Sequence, residues 1–216
     1  MVLFALAWVA VLIATAAAAI MAGDSARGRD AIYGATLIAS LTLLAIALLA
    51  LLRLDDAPSE AVLPLGIPWL GAHFRLDALS AFFLAVVNLG AAAASLYALG
   101  YGRHETAQRR VLPFYPAFLA GLNLVVLAAD AFSFLFAWEL MSLASWALVM
   151  SHHREAGNAY AGYVYIIMAS FGTLSLLLGF GLLAGGSGVY SFSEMRNAPT
   201  ALSGLVLILA ILGAGS

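Results

Sequence analysis

Apolar runs long enough to cross a lipid bilayer recur along nearly the whole chain, and they constrain the fold more than any other feature. A spanning helix needs about 20 apolar residues. By that length the sequence predicts helices near residues 2–22, 31–52, 78–101, 112–129, 131–150, 160–184 and 201–216. We therefore expect an all-α, polytopic transmembrane bundle of about seven helices over residues 1–216, with no soluble domain.

The composition agrees with a membrane protein and excludes several other classes. Hydrophobic residues make up 64% of the chain and charged residues only 9%, which is too little polar surface for a soluble domain of 216 residues. The net charge of −2 and the lack of a basic run argue against nucleic acid as a partner. Because the chain contains no cysteine, disulfides, thiolate metal sites and cysteine-ligated iron–sulfur clusters are excluded.

The connectors between the predicted helices hold all nine arginines, and their distribution predicts an orientation. The first, third and fifth connectors hold six of them, whereas the second, fourth and sixth hold three. We expect the chain to lie in the inner (cytoplasmic) membrane of a cell. Since arginine is enriched on the cytoplasmic side, we expect the odd connectors to be cytoplasmic and the N-terminus to be on the outer side. The longest connector, residues 54–76, alternates two prolines with two glycines between residues 64 and 71, which predicts a small hairpin or an interfacial loop.

Glu139 is the only carboxylate inside the fifth predicted helix, whose other residues are apolar or weakly polar. An ionised side chain at the centre of a bilayer costs ~2.5–3.5 kcal/mol on insertion scales, so such residues usually line an ion or proton path. Burial favours the neutral form of a carboxylic acid, and a nearby cation favours its ionised form. A moving or titrating cation would therefore switch proton binding, which predicts a proton-translocation site. A carboxyl that only ties helices together by a hydrogen bond is the alternative.

Hydroxyl groups near Glu139 are candidates for lining a proton path. Ser142 and Ser145 fall on the same side of the fifth predicted helix, because residues three and four apart are neighbours. The sixth predicted helix carries a second set on one face: Tyr163, Ser170 and Thr173. That face is compatible with a hydrated path and equally with helix packing.

Other polar residues in or beside the predicted helices have simpler interpretations. Asn88 and Asn123 lie in the middle of apolar segments, which predicts hydrogen bonds between helices. Asp77 precedes the third predicted helix, where its negative charge is typical of a helix N-terminus. Asp130 fits as the N-cap of the fifth predicted helix.

The histidines are candidates for collecting protons but not for binding a metal. His152 and His153 follow the fifth predicted helix on the predicted cytoplasmic side, where proton entry and a merely solvated loop are both possible. His73 and His104 lie in separate connectors, and no pair of histidines has metal-ligand spacing. No phosphate loop, nucleophile elbow or zinc-helix motif is present, so we expect no cofactor, no metal and no catalytic centre in this chain.

Four segments in order resemble one family of membrane proteins. They are DALSAFFL at 77–84, GYGR at 100–103, FLFAWELMSLASW at 134–146 and SFSEM at 191–195. Together they are similar to the antiporter-like subunits shared by respiratory complex I, Mrp-type sodium/proton antiporters and membrane-bound [NiFe] hydrogenases. The segment around Trp138 and Glu139 looks closest to the membrane subunit of hydrogenase-4 and formate hydrogenlyase.

The resemblance implies a larger fold and a role for Glu139. The family's bundle has about fourteen helices with inverted five-helix repeats, and each repeat is thought to pair a glutamate on its fifth helix with a lysine on a broken seventh helix. Glu139 matches that glutamate, whereas the chain contains no lysine and stops where the lysine is expected. We therefore expect the chain to be the front part of a longer protein. Related subunits often carry a charge or a histidine near Ser170, so a side branch of the path is in doubt.

Three functional hypotheses follow. The first is a proton-translocating subunit of a redox-driven complex of hydrogenase or NADH-quinone oxidoreductase type, a non-redox subunit whose partners carry the electrons. The second is a subunit of a multisubunit sodium/proton antiporter. The third is a truncated structural membrane component without transport of its own, for which the missing second repeat and the absence of lysine argue.

Overall fold

The computed structural model describes residues 1–22, 25–53, 57–66, 71–102, 108–152, 157–185, 190–196 and 202–216. At residues 22 and 152 the description covers the backbone alone. His153 and His104 lie outside the described residues.

Helices dominate the described part of the chain. They are α1 (Val2–Ala22), α2 (Ala26–Leu51), α3 (Ala78–Tyr101), α4 (Gln108–Val111), α5 (Phe114–Leu127), α6 (Ala131–Val149), α7 (Asn158–Ala184), α8 (Phe192–Met195) and α9 (Ser203–Gly215). A 3₁₀ turn over Met150–His152 follows α6. Six of the described segments are long and apolar enough to cross a membrane, with α4 and α5 forming one of them, and α9 is a shorter apolar helix. The chain is therefore an all-α, multi-pass membrane bundle, because helices satisfy their own backbone hydrogen bonds where no water is present.

Several helix ends differ from the predicted ones for identifiable reasons. Helix α2 begins at Ala26 rather than near residue 31, because the Ser25 side chain caps it by accepting a hydrogen bond from the Gly28 amide. The fourth predicted helix, near residues 112–129, corresponds to α5, and the short helix α4 lies before it, separated from α5 by Pro113, which has no amide hydrogen to donate. Helix α5 ends at Leu127, since Ala128 adopts an extended conformation.

The long second connector contains a hairpin, one of the two predicted alternatives. Strands β1 (Ser59–Leu63) and β2 (Ala72–Leu76) pair antiparallel, with Ala61 opposite Phe74. Phe74 also forms a single bridge with Ala128, at the start of the short link between α5 and α6. The hairpin is thereby fixed to the end of the bundle at which α6 begins.

Helices α1, α2, α3 and α5 share the main hydrophobic core with β2. Each of these helices contributes a fully buried leucine: Leu12, Leu43, Leu84 and Leu127. The predicted interhelical bond is confirmed, because the Asn88 side-chain amide of α3 donates to Asn123 Oδ1 of α5 at 2.6 Å and both residues are completely buried. This polar tie fixes α3 against α5 inside an otherwise apolar interface.

The second half of the described bundle packs in sequence order. Helix α5 packs along α6, α6 along α7, and α7 along α9. The α7–α9 contact is close, because a Cβ atom at Gly172 would lie only 2.9 Å from the Gly213 carbonyl oxygen. Small residues at such crossings let helix backbones approach each other.

Candidate functional site

The candidate site is built on α6, whose start is determined by Asp130. This residue has an extended backbone, and its carboxylate accepts a hydrogen bond from the Ser133 amide at 2.7 Å, as the N-cap prediction required. With the helix fixed at that residue, Glu139 lies near the middle of α6, two to three turns into the apolar segment. Its side chain is partly buried.

Glu139 faces a groove between α6 and α7, which we call the α6–α7 groove. It has a volume of about 620 Å³. Its other lining residues are Ala131, Phe132, Leu135, Phe136, Thr173, Leu177, Phe180, Gly181 and Tyr190. Among the described residues of this lining, Glu139 is the only charged one, and Thr173 is the only one with an aliphatic hydroxyl.

No described residue neutralises Glu139. Within the part of the chain that the structure describes, no basic nitrogen lies within 4.0 Å of its carboxylate, and the ion pairs found there involve other acids. The hydrogen bonds found among the same residues also leave the Glu139 carboxylate without a donor. Glu139 is therefore an acid in an apolar groove for which the described residues provide no ion-pair partner.

The predicted companions of Glu139 on α6 do not line the α6–α7 groove with it. Ser142 is buried and Ser145 partly buried, and neither belongs to the lining of the α6–α7 groove. Trp146, one turn below Ser142, donates from its indole nitrogen to the Gly162 carbonyl oxygen of α7 at 3.1 Å. This part of α6 therefore serves the contact with α7, while Glu139 faces the groove.

The three predicted path residues of α7 are separated by the structure. Thr173 lines the α6–α7 groove together with Glu139, and its hydroxyl donates to the Ala169 carbonyl oxygen at 3.2 Å. Ser170 and Tyr163 are exposed and lie outside the groove lining. The side chain of His152 and the whole of His153 fall outside the described residues, so proton entry there stays a prediction.

The structure adds a feature that the sequence did not indicate, a fully buried carboxylate tied to a histidine of the hairpin. Asp130 Oδ2 accepts a hydrogen bond from the His73 backbone amide at 2.8 Å and another from the Ser133 hydroxyl at 2.6 Å. The His73 imidazole Nδ1 lies 3.6 Å from the same carboxylate oxygen. The cap signal identified Asp130, but His73 stands 57 residues earlier in the chain, and no local pattern links the two.

Backbone hydrogen bonds join three segments around this carboxylate. The Ala129 amide donates to the His73 carbonyl oxygen, the Ala131 amide to that of Tyr190, and the Phe192 amide to that of Ala129, at 2.9 to 3.1 Å. We call this meeting of His73, residues 129–131 and residues 190–192 the hairpin junction. Ala131 and Tyr190 belong both to the hairpin junction and to the groove lining, so the junction forms one end wall of the α6–α7 groove.

Aromatic rings pack behind that end wall. Phe134 of α6 makes edge-to-face contacts with Phe180 of α7 and Phe192 of α8, at ring-centroid distances of 5.7 and 6.0 Å. Met195 is buried beneath them against Ala131 and Ala184. Among the described residues, no group of three or more histidine, aspartate or glutamate side chains could hold a metal ion.

Comparisons with known proteins agree with this architecture. Residues 128–215 match the family described as NADH:quinone oxidoreductase/Mrp antiporter, TM. Hydrogenase-4 component B of Escherichia coli K12 is 32% identical over 146 residues, covering 66% of this chain and 22% of that protein. NADH-quinone oxidoreductase subunit N of Granulibacter bethesdensis is 31% identical over 163 residues, covering 75% of this chain and 32% of that protein.

A solved structure has the same fold over nearly the whole chain. It is that of the membrane-bound sulfane sulfur reductase, an archaeal respiratory membrane complex, with a TM-score of 0.76 and 18% sequence identity over 97% of this chain and 44% of that one. The present chain spans less than a third of the length of the two curated relatives. The matched family segment contains Asp130, Glu139 and the hairpin-junction residues 190–192.

Proposed function

This chain belongs to the family of antiporter-like membrane subunits, and from that membership we propose that it translocates protons as part of a redox-driven membrane complex, with Glu139 as the proton site. The observation that carries the proposal is the placement of Glu139, the only charged residue of the α6–α7 groove, without a cation among the described residues.

The chemistry of such a site depends on a cation that the described residues do not supply. The sequence contains no lysine, and none of the described arginines forms an ion pair with Glu139. A positive charge that approaches the groove from another chain or segment would favour the ionised carboxylate and release its proton. Withdrawal of that charge would favour proton binding. A cation that moves outside the chain would therefore cause Glu139 to release and take up a proton.

The type of complex is proposed from the relatives. One of them is a hydrogenase component and another an NADH-quinone oxidoreductase subunit. We infer that partner subunits carry the electrons while this multi-pass chain contributes a membrane proton path. An inner-membrane location with the N-terminus outside stays a prediction from the arginine distribution.

A second candidate is a subunit of a multisubunit cation/proton antiporter, which the family description favours because it includes the Mrp antiporter. The same carboxylate would serve both activities, since a site that binds protons can exchange them for a metal cation. Transport by an antiporter requires sodium or potassium on the opposite side of the membrane. Transport driven by a redox partner requires an electron donor instead. Measuring transport without the metal cation, and then without the electron donor, distinguishes the antiporter from the redox-driven complex.

The experiment compares proton uptake into membrane vesicles that carry the whole complex, using a pH-sensitive dye. Glu139→Gln keeps the size and hydrogen-bonding capacity of the side chain but cannot exchange a proton, so we expect a loss of at least about tenfold. Glu139→Asp keeps the acid and should retain part of the activity. Glu194→Gln is the matched control, because Glu194 is an exposed glutamate of α8 outside the groove.

Two results would contradict the proposal. If Glu139→Gln transports protons as fast as the unmodified protein at equal abundance in the membrane, Glu139 is not the proton site. If Glu194→Gln and Glu139→Gln lose activity equally, the effect comes from loss of negative charge rather than from the groove.

A further inference from the structure

Asp130 is satisfied by backbone and hydroxyl donors, yet one polar atom beside it lacks a partner. The carboxylate is completely buried and accepts hydrogen bonds from the His73 amide, the Ser133 amide and the Ser133 hydroxyl. His73 Nδ1 is also buried and forms no hydrogen bond in the described part of the chain. Its distance of 3.6 Å from Asp130 Oδ2 is too long for a hydrogen bond but within the range of an ion pair.

The histidine can exchange protons although its Nδ1 is enclosed. The His73 side chain as a whole is 37% exposed, whereas that of Asp130 is 1% exposed. Histidine changes charge near neutral pH, and a protonated imidazole carries a hydrogen on both ring nitrogens. Protonation would therefore place an N–H and a positive charge beside a buried carboxylate.

We propose that His73 and Asp130 form a proton-responsive latch that closes the hairpin junction when His73 is protonated. The new ion pair adds to the backbone hydrogen bonds that join the three segments of the junction. Deprotonation removes the ion pair and leaves Nδ1 without a partner, so the junction opens more readily. Both states keep the hydrogen bonds from the Ser133 amide and hydroxyl to Asp130.

Other titratable residues lie on the hairpin and on the segments that the hairpin junction joins. On its own strand, Arg75 pairs with Asp77 at 2.7 Å, and Glu60 stands opposite Arg75 on β1. Residues 190–196 contribute Tyr190, Glu194 and Arg196, and on α6 the next titratable residue after Asp130 is Glu139. The connectors 67–70, 186–189 and 197–201 contain no titratable side chain, and Asp55 and Asp56 lie outside the described residues. Asp130 is the described carboxylate within ion-pair distance of His73.

The latch would act on the proposed proton site through the shared end wall. Ala131 and Tyr190, which the junction joins by a hydrogen bond of 2.9 Å, both line the α6–α7 groove. Asp130 and His73 do not line the groove, so they are positioning residues rather than proton carriers. This link to transport rests on the proposed function of Glu139, whereas the latch itself does not.

The test measures junction opening directly in the full chain, in lipid vesicles. Because the natural chain contains no cysteine, Met195→Cys supplies a single thiol, buried in the cluster with Ala131 and Ala184, that N-ethylmaleimide reaches when the junction opens. Labelling rates are compared between His73 and His73→Asn, whose amide keeps a neutral donor near the Nδ1 position. The ratio of the two rates at one pH cancels the reactivity of the thiol itself.

The expected ratio changes with pH. At about pH 5.5 the His73→Asn chain should be labelled about tenfold faster, because only the histidine chain gains the ion pair with Asp130. At about pH 8 the His73→Asn chain should no longer be labelled faster, since the ion pair is then absent from both chains. A thiol at Ala144→Cys, buried on α6 away from the junction, should give a ratio that does not change with pH.

A ratio for Met195→Cys that is the same at both pH values would overturn the latch. Asp130→Asn provides a second route, because it keeps one acceptor oxygen for the Ser133 amide and removes the charge. In that background the ratio of the two rates should be the same at both pH values, and a persisting pH dependence would also contradict the latch. These rates do not depend on transport, so a failure of the Glu139 proposal and a failure of the latch are recognised separately.

Discussion

At the scale of single residues, two carboxylates of one segment have opposite environments. Asp130 is completely buried and holds three hydrogen bonds, which fix the start of α6. Glu139 is partly buried, lines an apolar groove and has no hydrogen-bond or ion-pair partner among the described residues. Because a buried carboxylate with several donors is held in place, Asp130 suits a structural role, whereas no hydrogen bond among the described residues holds the Glu139 carboxylate.

Asp77 gives a pH-dependent prediction at the same scale, outside the membrane-spanning segments. Although burial opposes its ionisation, hydrogen bonds from the Ser80 amide and hydroxyl and the nearby Arg75 guanidinium hold the pKa of Asp77 below its ordinary value of 3.8. A lowered pKa means that the ionised form stabilises the folded state. This contribution is complete above the ordinary value and is lost as the pH falls through the lower pKa of the folded protein.

We therefore expect Asp77→Asn to reduce the free energy of unfolding by about 0.5–1 kcal/mol near neutral pH. The difference should shrink below the ordinary pKa of 3.8, where the carboxyl of the unmodified chain also becomes neutral. Thermal unfolding in detergent as a function of pH measures this stability difference, with Glu194→Gln as the control. A stability difference between Asp77→Asn and the unmodified chain that grows as the pH falls would contradict the lowered pKa of Asp77.

At the scale of elements, α6 is fixed along its length while its groove face stays open. The hairpin junction holds its first turn, and the Trp146 indole bonds its last turns to α7. On the opposite side α5 approaches closely, because a Cβ atom at Gly121 would lie 2.8 Å from the backbone N and Cα of Met141. The position of Glu139 relative to α7 therefore depends on contacts that do not involve Glu139.

The contact at Gly121 predicts a sharp difference between two glycine substitutions. Gly121→Ala forces α5 away from the α6 backbone, and we expect a loss of about 1–3 kcal/mol in the free energy of unfolding, because the backbone cannot rotate out of the way. Gly90→Ala in α3 is the matched control, since nothing lies within 4 Å of its added methyl group. Unfolding of both variants in the same detergent is the measurement. Equal stability of the two would contradict the close α5–α6 contact.

Sequence reasoning succeeded at this scale where the signal is local. The apolar runs predicted the spanning helices, and Asp130 was correctly predicted as a cap because an aspartate directly before an apolar helix is a local pattern. The Asn88–Asn123 bond was also predicted, because a buried amide in lipid needs a partner. The short helix α4 before the fourth predicted helix was not predicted, although Pro113, which has no amide hydrogen to donate, was visible in the sequence.

Contacts between distant segments could not be predicted in the same way. The helical pattern placed Ser142 and Ser145 beside Glu139, but the residues that line the groove with it lie toward the start of α6 and on α7. The pairing of His73 with Asp130 depends on how the hairpin docks, which no periodicity encodes. The sequence therefore identified Glu139 as the acid of the candidate site, whereas only the fold identified the residues that line the groove around it.

At the scale of the whole molecule, the bundle combines a packed half with an open groove. Helices α1, α2, α3 and α5 form one core with the hairpin, and α6 connects this core to α7. Glu139 lies on the face of α6 directed toward α7, where the described residues provide an acid but no cation. The proposed role of Glu139 therefore requires a cation from outside the described residues.

The most direct test is to observe proton exchange at Glu139 itself. Infrared difference spectra of the reconstituted complex, recorded across the pH range in which it transports protons, report the carbonyl band of a protonated carboxylic acid. We predict a band that appears and disappears with pH in the unmodified protein and in Glu194→Gln, and that is missing in Glu139→Gln. An unchanged band in Glu139→Gln would mean that another acid exchanges the proton, and the central claim would then be wrong.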